Sequence, residues 1–363
     1  MKIPRPIPIL ASCLMLAANS AAAQISLSPP GAEKPPAANK PAAKPKAKPH
    51  EVVKKPPAAA ATPKPAATPV APTATVTPAP TPDDPNVDLV YGAYQRGQYK
   101  TAFDLATRRA QERSDPKAMT MLGELYANAL GVKLDYAKAA DWYKRAADAG
   151  DREAMFALAM FRLEGRGGPV NREEAVKWLA SSAKLGNPKA AYNLALLYLD
   201  GQTLPQDLKR SAELLRLAAD AGNPEAQYAL ATFYKEGTGV EKDVEKAVRL
   251  LQAASLADNV DAEVEYAIAL YNGTGTPKNQ AAAVALLRKA AQQNSPIAQN
   301  RLARVLVSGQ GAPMDKIEAL KWHIVAKTAG KGDPMLDEVL ADLSPGDRAK
   351  AEAAARKWLG TTK

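Results

Sequence analysis

The tryptophans of this chain are Trp142, Trp178, Trp322 and Trp358, and all are separated by multiples of 36 residues. Alanine recurs in the same phase at Ala118, Ala154, Ala190, Ala226, Ala262 and Ala298. So does leucine at Leu122, Leu158, Leu194, Leu230 and Leu302, with Tyr266 filling the gap. A period of about 20 to 50 residues marks a solenoid, because one unit alone leaves an apolar face that only the next unit covers. Such a chain grows along one axis and presents extended surfaces, which favours binding over catalysis.

Residues 223–258 show how one unit is built. Asn223 has the chemistry of a helix N-cap, and Pro224 suits the first helical position, where its missing N–H is harmless. The same step recurs as Asp115-Pro116, Asn187-Pro188 and Ser295-Pro296. Ala226, Leu230, Ala231, Phe233 and Tyr234 follow at helical spacing, and Gly237-Thr238-Gly239 ends the helix. Asp243 opens a second helix, as do Asp135, Asn171, Asp207, Asn279 and Asp315 in the other units. Asn171 with Glu174, and Asp315 with Glu318, have capping-box spacing. Ala247, Leu250, Leu251 and Ala254 form the apolar stripe of the second helix. Small alanines let helices approach closely, while Trp or Leu at the Trp142 phase fills the space between them.

Residues 116–151 carry Ala118, Leu122-Gly123, Tyr126, Gly131-Val132, Asp135, Lys138-Ala139, Trp142-Tyr143, Ala146-Ala147 and Gly150. This pattern resembles the Sel-one-like repeat, a relative of the tetratricopeptide repeat. Six such units span 115–330. The resemblance implies an all-α, right-handed solenoid of helix-turn-helix units. Residues 86–114, with Ala93, Tyr94, Gly97, Tyr99 and Ala102, resemble a plain tetratricopeptide unit with a short turn. Residues 331–363 open a final helix at Ser344-Pro345 and hold Trp358 in phase, and they read as a degenerate seventh unit that caps the stack.

Ahead of the repeats, residues 1–23 have the form of an export leader: Lys2 and Arg5, an apolar run from Ile7 to Ala18, then Ala21-Ala22-Ala23. Cleavage at Ala23 predicts a periplasmic or secreted protein. Two alternatives stay open: lipidation at Cys13 within Leu10-Ala11-Ser12-Cys13, and retention of the leader as an anchor. Cys13 is the only cysteine, so a chain cleaved at Ala23 has no disulfide and no thiol chemistry. Residues 24–85 are rich in Pro, Ala, Lys and Thr and poor in large apolar residues. They cannot offset the entropy of ordering and read as a disordered tether. Eight lysines from Lys34 to Lys64 make it basic. That fits either a solvated linker or weak contact with an anionic envelope polymer.

The formal net charge is +10, much of it in these two segments. The repeats hold no run of Lys and Arg interleaved with aromatics, which argues against a nucleic-acid interface. The Gly-x-Gly loops at Gly165, Gly237, Gly273 and Gly309 join helix to helix rather than strand to helix, so they read as turns and not phosphate cradles. Ser181-Ser182-Ala183-Lys184 matches the S-x-x-K of penicillin-interacting serine enzymes, yet no S-D-N or K-T-G accompanies it. Some exported Sel-one-like proteins are linked to β-lactam binding, but those are cysteine-rich. His50 lies in the tether. His323 lies beside Trp322 on a helix with no acid or nucleophile at a telling spacing, so packing is its expected role. No His, Cys or carboxylate cluster has metal-ligand spacing, and neither a cofactor motif nor a catalytic residue is assigned.

In the related tetratricopeptide stacks the first helices line the concave face. Mapped onto this chain, Phe156, Tyr192 and Tyr228 fall in register there, with Met160, Leu196 and Ile268 a turn later. Two readings fit that spacing: a groove for an extended peptide or a partner helix, or packing between adjacent first helices. The resemblance to periplasmic Sel-one-like proteins implies a scaffold, adaptor or regulator that binds a protein of the cell envelope through this face. The alternatives are a peptidoglycan-associated spacer and a cell-wall or β-lactam-interacting enzyme.

Overall fold

The computed structural model describes residues 88–361. The leader at 1–23, with Cys13, and the tether at 24–85, with His50, lie outside the described residues. An N-terminal pair, α1 (Leu89–Gln95) and α2 (Tyr99–Arg113), comes first. Six longer pairs follow. They are α3 (Pro116–Ala127) with α4 (Tyr136–Asp148), α5 (Arg152–Glu164) with α6 (Arg172–Lys184), and α7 (Pro188–Asp200) with α8 (Leu208–Asp220). Then come α9 (Pro224–Glu236) with α10 (Val244–Leu256), α11 (Val260–Asn272) with α12 (Gln280–Gln292), and α13 (Pro296–Ser308) with α14 (Lys316–Thr328). A short α15 (Pro334–Val339) and a long α16 (Pro345–Thr361) close the stack. Among the described residues there is no strand.

Every N-cap of the six pairs is an Asp, Asn or Ser whose side chain accepts a backbone N–H two or three residues on. Each such bond satisfies a donor that the helix start leaves orphaned. The cap of every second helix makes one more bond. Its own N–H donates to a carbonyl in the last turns of the first helix: Asp135 to Tyr126, Asn171 to Arg162, Asp207 to Tyr198, Asp243 to Tyr234, Asn279 to Leu270 and Asp315 to Leu306. This bond corrects the expected capping boxes. Asn171 and Asp315 do accept from the N–H groups of Glu174 and Glu318. The return bond from the glutamate is not made, because the cap N–H is already taken. Glu174 turns instead to Arg162 and the indole N–H of Trp178, and Glu318 to Arg288 and the indole N–H of Trp322.

From α1 to α14 each helix packs on the next along the chain. Ala154, Ala190, Ala226, Ala262 and Ala298 are all fully buried, so backbones meet without an intervening side chain. Leu122, Leu158, Leu194, Leu230 and Leu302 fill the core beside them. Truncating such a leucine to alanine typically costs about 2–5 kcal/mol. Gly239 marks one of the two tightest joints, with Gly167. It sits at φ 65°, and a Cβ there would run into the backbone carbonyl of Leu208 at the start of the preceding second helix. The loop of one repeat thus rests on the helix of the repeat before it.

The C-terminal cap is held by charge as well as packing. Trp322 and Trp358 meet edge to face with centroids 5.1 Å apart, and the Lys321 ammonium lies 3.9 Å from the Trp322 centroid. Arg304 pairs with the buried Asp333. His323, buried beside Trp322, places Nε2 2.8 Å from Asp337, which Lys327 also holds at 2.9 Å. His323 packs as expected, but it does have a partner acid; the contact crosses from α14 to α15 and leaves no helical spacing to read.

Two predictions follow from these joints. Gly239→Ala should destabilise the stack by about 2 kcal/mol or more, read as a lower urea midpoint, since it adds a left-handed alanine and a steric clash. The cap should loosen in acid. Hydrogen bonds and charge from His323 and Lys327 hold the Asp337 carboxyl below the usual carboxylate range. Burial alone would raise Asp333, but Arg304, Asn300 and the Met335 N–H overrule it and lower it too. Both contribute stability above their unfolded values near pH ~4, and lose it as pH falls through their depressed folded values. Tryptophan emission should therefore change below about pH 4 in the native chain, and the change should persist in Trp142→Phe/Trp178→Phe, where only the cap tryptophans Trp322 and Trp358 remain to report it.

Candidate functional site

The stripe residues occupy equivalent turns of successive first helices: Phe156 and Met160 on α5, Tyr192 and Leu196 on α7, Tyr228 on α9, Ile268 on α11. Their exposures differ. Phe156, Met160, Tyr192 and Tyr228 are half-buried, while Leu196 and Ile268 are buried. Each of the three aromatic rings packs one side against the core formed by α6 to α10 and keeps part of its surface in solvent. Accessible contact area on this face therefore comes from the aromatics and Met160, with Leu196 and Ile268 supporting them from beneath.

Carboxylates surround the tyrosines. Burial pushes the Tyr192 phenol up, and Glu225 adds to the shift. Burial likewise raises Tyr228, followed by the charges of Glu265, Asp261 and Glu236. Asp261 is exposed by area, yet desolvation raises its carboxyl, and Glu265 raises it further. Glu265 is 3.0 Å from Lys235 of the preceding repeat. One repeat further on, desolvation lowers the Arg301 guanidinium, with Arg304 adding to it. The first-helix face thus runs from aromatic and acidic around α7 to α11 to basic at α13. Sequence reasoning missed the acids. Their signal was register: Asp261 and Glu265 stand one helical turn apart on α11, the first helix of the repeat after Tyr228.

The motifs set aside earlier have structural roles. The Ser182 hydroxyl is buried and donates to the Arg152 carbonyl at 2.6 Å, and that of Ser181 donates to the Lys177 carbonyl. Gly165, Gly237, Gly273 and Gly309 sit at positive φ where the first helices end. Among the described residues no group of three or more His, Cys, Asp or Glu is placed to hold a metal ion.

The Sel1 repeat profile matches residues 116–151, 152–187, 188–223, 224–259, 260–295 and 296–331. The chain belongs to the Sel1 repeat family. A Sel1 repeat protein from Oxalobacter formigenes is 27% identical, with a TM-score of 0.59, over 66% of this chain and 98% of that one. A protective antigen present in uropathogenic Escherichia coli strains, displaying an SLR fold, is 25% identical with a TM-score of 0.62. That match covers 77% of this chain and 65% of the antigen. No curated protein shows significant sequence similarity to the chain.

The raised Asp261 carboxyl carries its own test. A carboxyl whose folded value is raised contributes stability below its unfolded value and loses it as pH rises through the folded one. Asp261→Asn should therefore raise the thermal midpoint at pH 7, and the gain should shrink as pH falls through the raised folded value, where the native carboxyl takes up its proton.

Proposed function

We propose that this Sel1 repeat protein is an exported binding scaffold that holds a protein of the cell envelope along the concave face formed by its first helices. The observation that carries this reading is the Tyr192–Tyr228 stripe beside Asp261 and Glu265. Half-buried tyrosines are rigid and lose little entropy on binding, which makes them good anchors. The neighbouring carboxylates favour a segment that brings lysine or arginine, and its approach would relieve the repulsion between Asp261 and Glu265. A charge kept at some cost to the fold fits a binding site. The leader-like residues 1–23 support export to the periplasm, and residues 24–85 would serve as the reach between the repeats and whatever the N-terminal end contacts.

The test is crosslinking and affinity capture of the tagged full-length chain from intact cells, beside a Tyr192→Ala/Tyr228→Ala variant. One envelope protein should be enriched by the native chain and reduced about tenfold or more by the variant, given that hot-spot truncations cost about 2 kcal/mol or more. Equal capture by both forms would place the site elsewhere. Fractionation of the same cells checks export: the tagged chain should appear in the periplasmic fraction, and a cytoplasmic location would remove that part of the reading.

A further inference from the structure

The repeats act as controls for one another, and one joint alone sets two cations in register with a leucine. Between the last two repeats, Arg288 on α12 pairs with Glu318 on α14, whose carboxylate also accepts from the Trp322 indole. Two periods earlier the same positions hold Arg216 on α8, Lys246 on α10 and Leu250 in place of the tryptophan. A cation thus stands where the carboxylate stood, as it also does at Lys138 and Arg210, but only here does a second cation share its register with leucine in place of the indole. A recess opens there. One cavity of about 490 Å³ and an adjoining one of about 350 Å³ share Arg216, Tyr234 and Lys246 in their walls.

The donors at this recess are under-used. Arg216 gives one N–H to the Tyr234 hydroxyl at 2.9 Å and pairs with no carboxylate among the described residues. That hydroxyl accepts the bond and keeps its own proton to give. Lys246 lies 5.4 Å from the Tyr234 ring centroid and 2.9 Å from Asp243. Lys209 and Lys242 stand in the wall, exposed and without an ion pair among the described residues. Two of the acids present are committed: Asp243 caps α10 and holds Lys246, and Glu213 pairs with Arg210. Glu241 and Asp220 also line the walls, as exposed as Arg216 and Lys246.

We propose that this recess takes a glutamate side chain from a partner protein, entering where Glu174 and Glu318 stand in two of the other repeats and accepting from Arg216, Tyr234 and Lys246. Charge complementarity selects an acidic partner segment, and the Leu250 substitution leaves room for its stem. The site shares no residue with the Tyr192–Tyr228 stripe, so it is a second contact surface of opposite charge preference and stands independently of the function proposed above.

The probe is a fluorescein-labelled peptide of alternating glycine and glutamate, compared with its glutamine counterpart, titrated with the full-length protein and read by anisotropy. The glutamate peptide should bind. Arg216→Gln should weaken it about tenfold or more, the usual loss for a hydrogen-bonded charge. Lys246→Glu, which installs the carboxylate found at Glu174 and Glu318, should abolish binding. Thermal midpoints within a few degrees of the native chain would show that neither variant acts by unfolding; if Arg216→Gln unfolds, Lys246→Glu carries the comparison. Equal binding of the two peptides, absence of binding by the glutamate peptide, or undiminished binding by Lys246→Glu would each overturn the proposal.

Discussion

One hydrogen bond, repeated six times, sets the geometry on which the rest of the molecule depends. The N–H of each second-helix cap reaches back to a carbonyl near the end of the first helix, at 2.8 to 3.1 Å. It closes the turn within a repeat and fixes how the two helices meet. The fully buried alanines then let each pair settle against the next, and the second glycine of the loop, as at Gly239, lets that loop rest on the preceding helix. Change any of the three and the joint shifts. Because the joints follow one another in series, a small offset at one is inherited by all the repeats beyond it.

The bond also explains where the functional chemistry comes from. With the cap N–H satisfied by the backbone, Glu174 and Glu318 are released from capping and bind across to arginine and tryptophan. The third position of the second helix becomes free to vary, and Lys246 is the variant that opens a recess. The first helices show the same freedom. Their alanine and leucine positions are fixed by packing, whereas the next position in register carries the half-buried Phe156, Tyr192 and Tyr228 in three repeats, then the buried Val264 and the half-buried Asn300.

The period of the alanines, leucines and tryptophans was enough to read the solenoid, and the Asp, Asn and Ser residues marked nearly every helix start. These signals are local, repeating every turn or every unit. What stayed hidden lies between elements. The bond that displaces the capping box joins residues nine apart through backbone atoms, which carry no side-chain signature. The His323–Asp337 contact crosses from one helix to a short one at an irregular offset. Asp261 reads as an ordinary first-turn acid until the repulsion of Glu265 and the loss of water around it are known. Half-burial of the aromatics is likewise a property of the stack rather than of any one repeat.

The chain-neighbour packing of α1 to α14 has a mechanical consequence. A globular core resists pulling because strands or helices distant in sequence are clamped across one another. Here the main contacts between repeats are serial, so tension on the two termini would be borne by one joint at a time. Each released repeat would add on the order of 120 Å of contour. Such a chain yields in steps rather than all at once, and behaves between two anchored ends as a spring with a defined unit of travel.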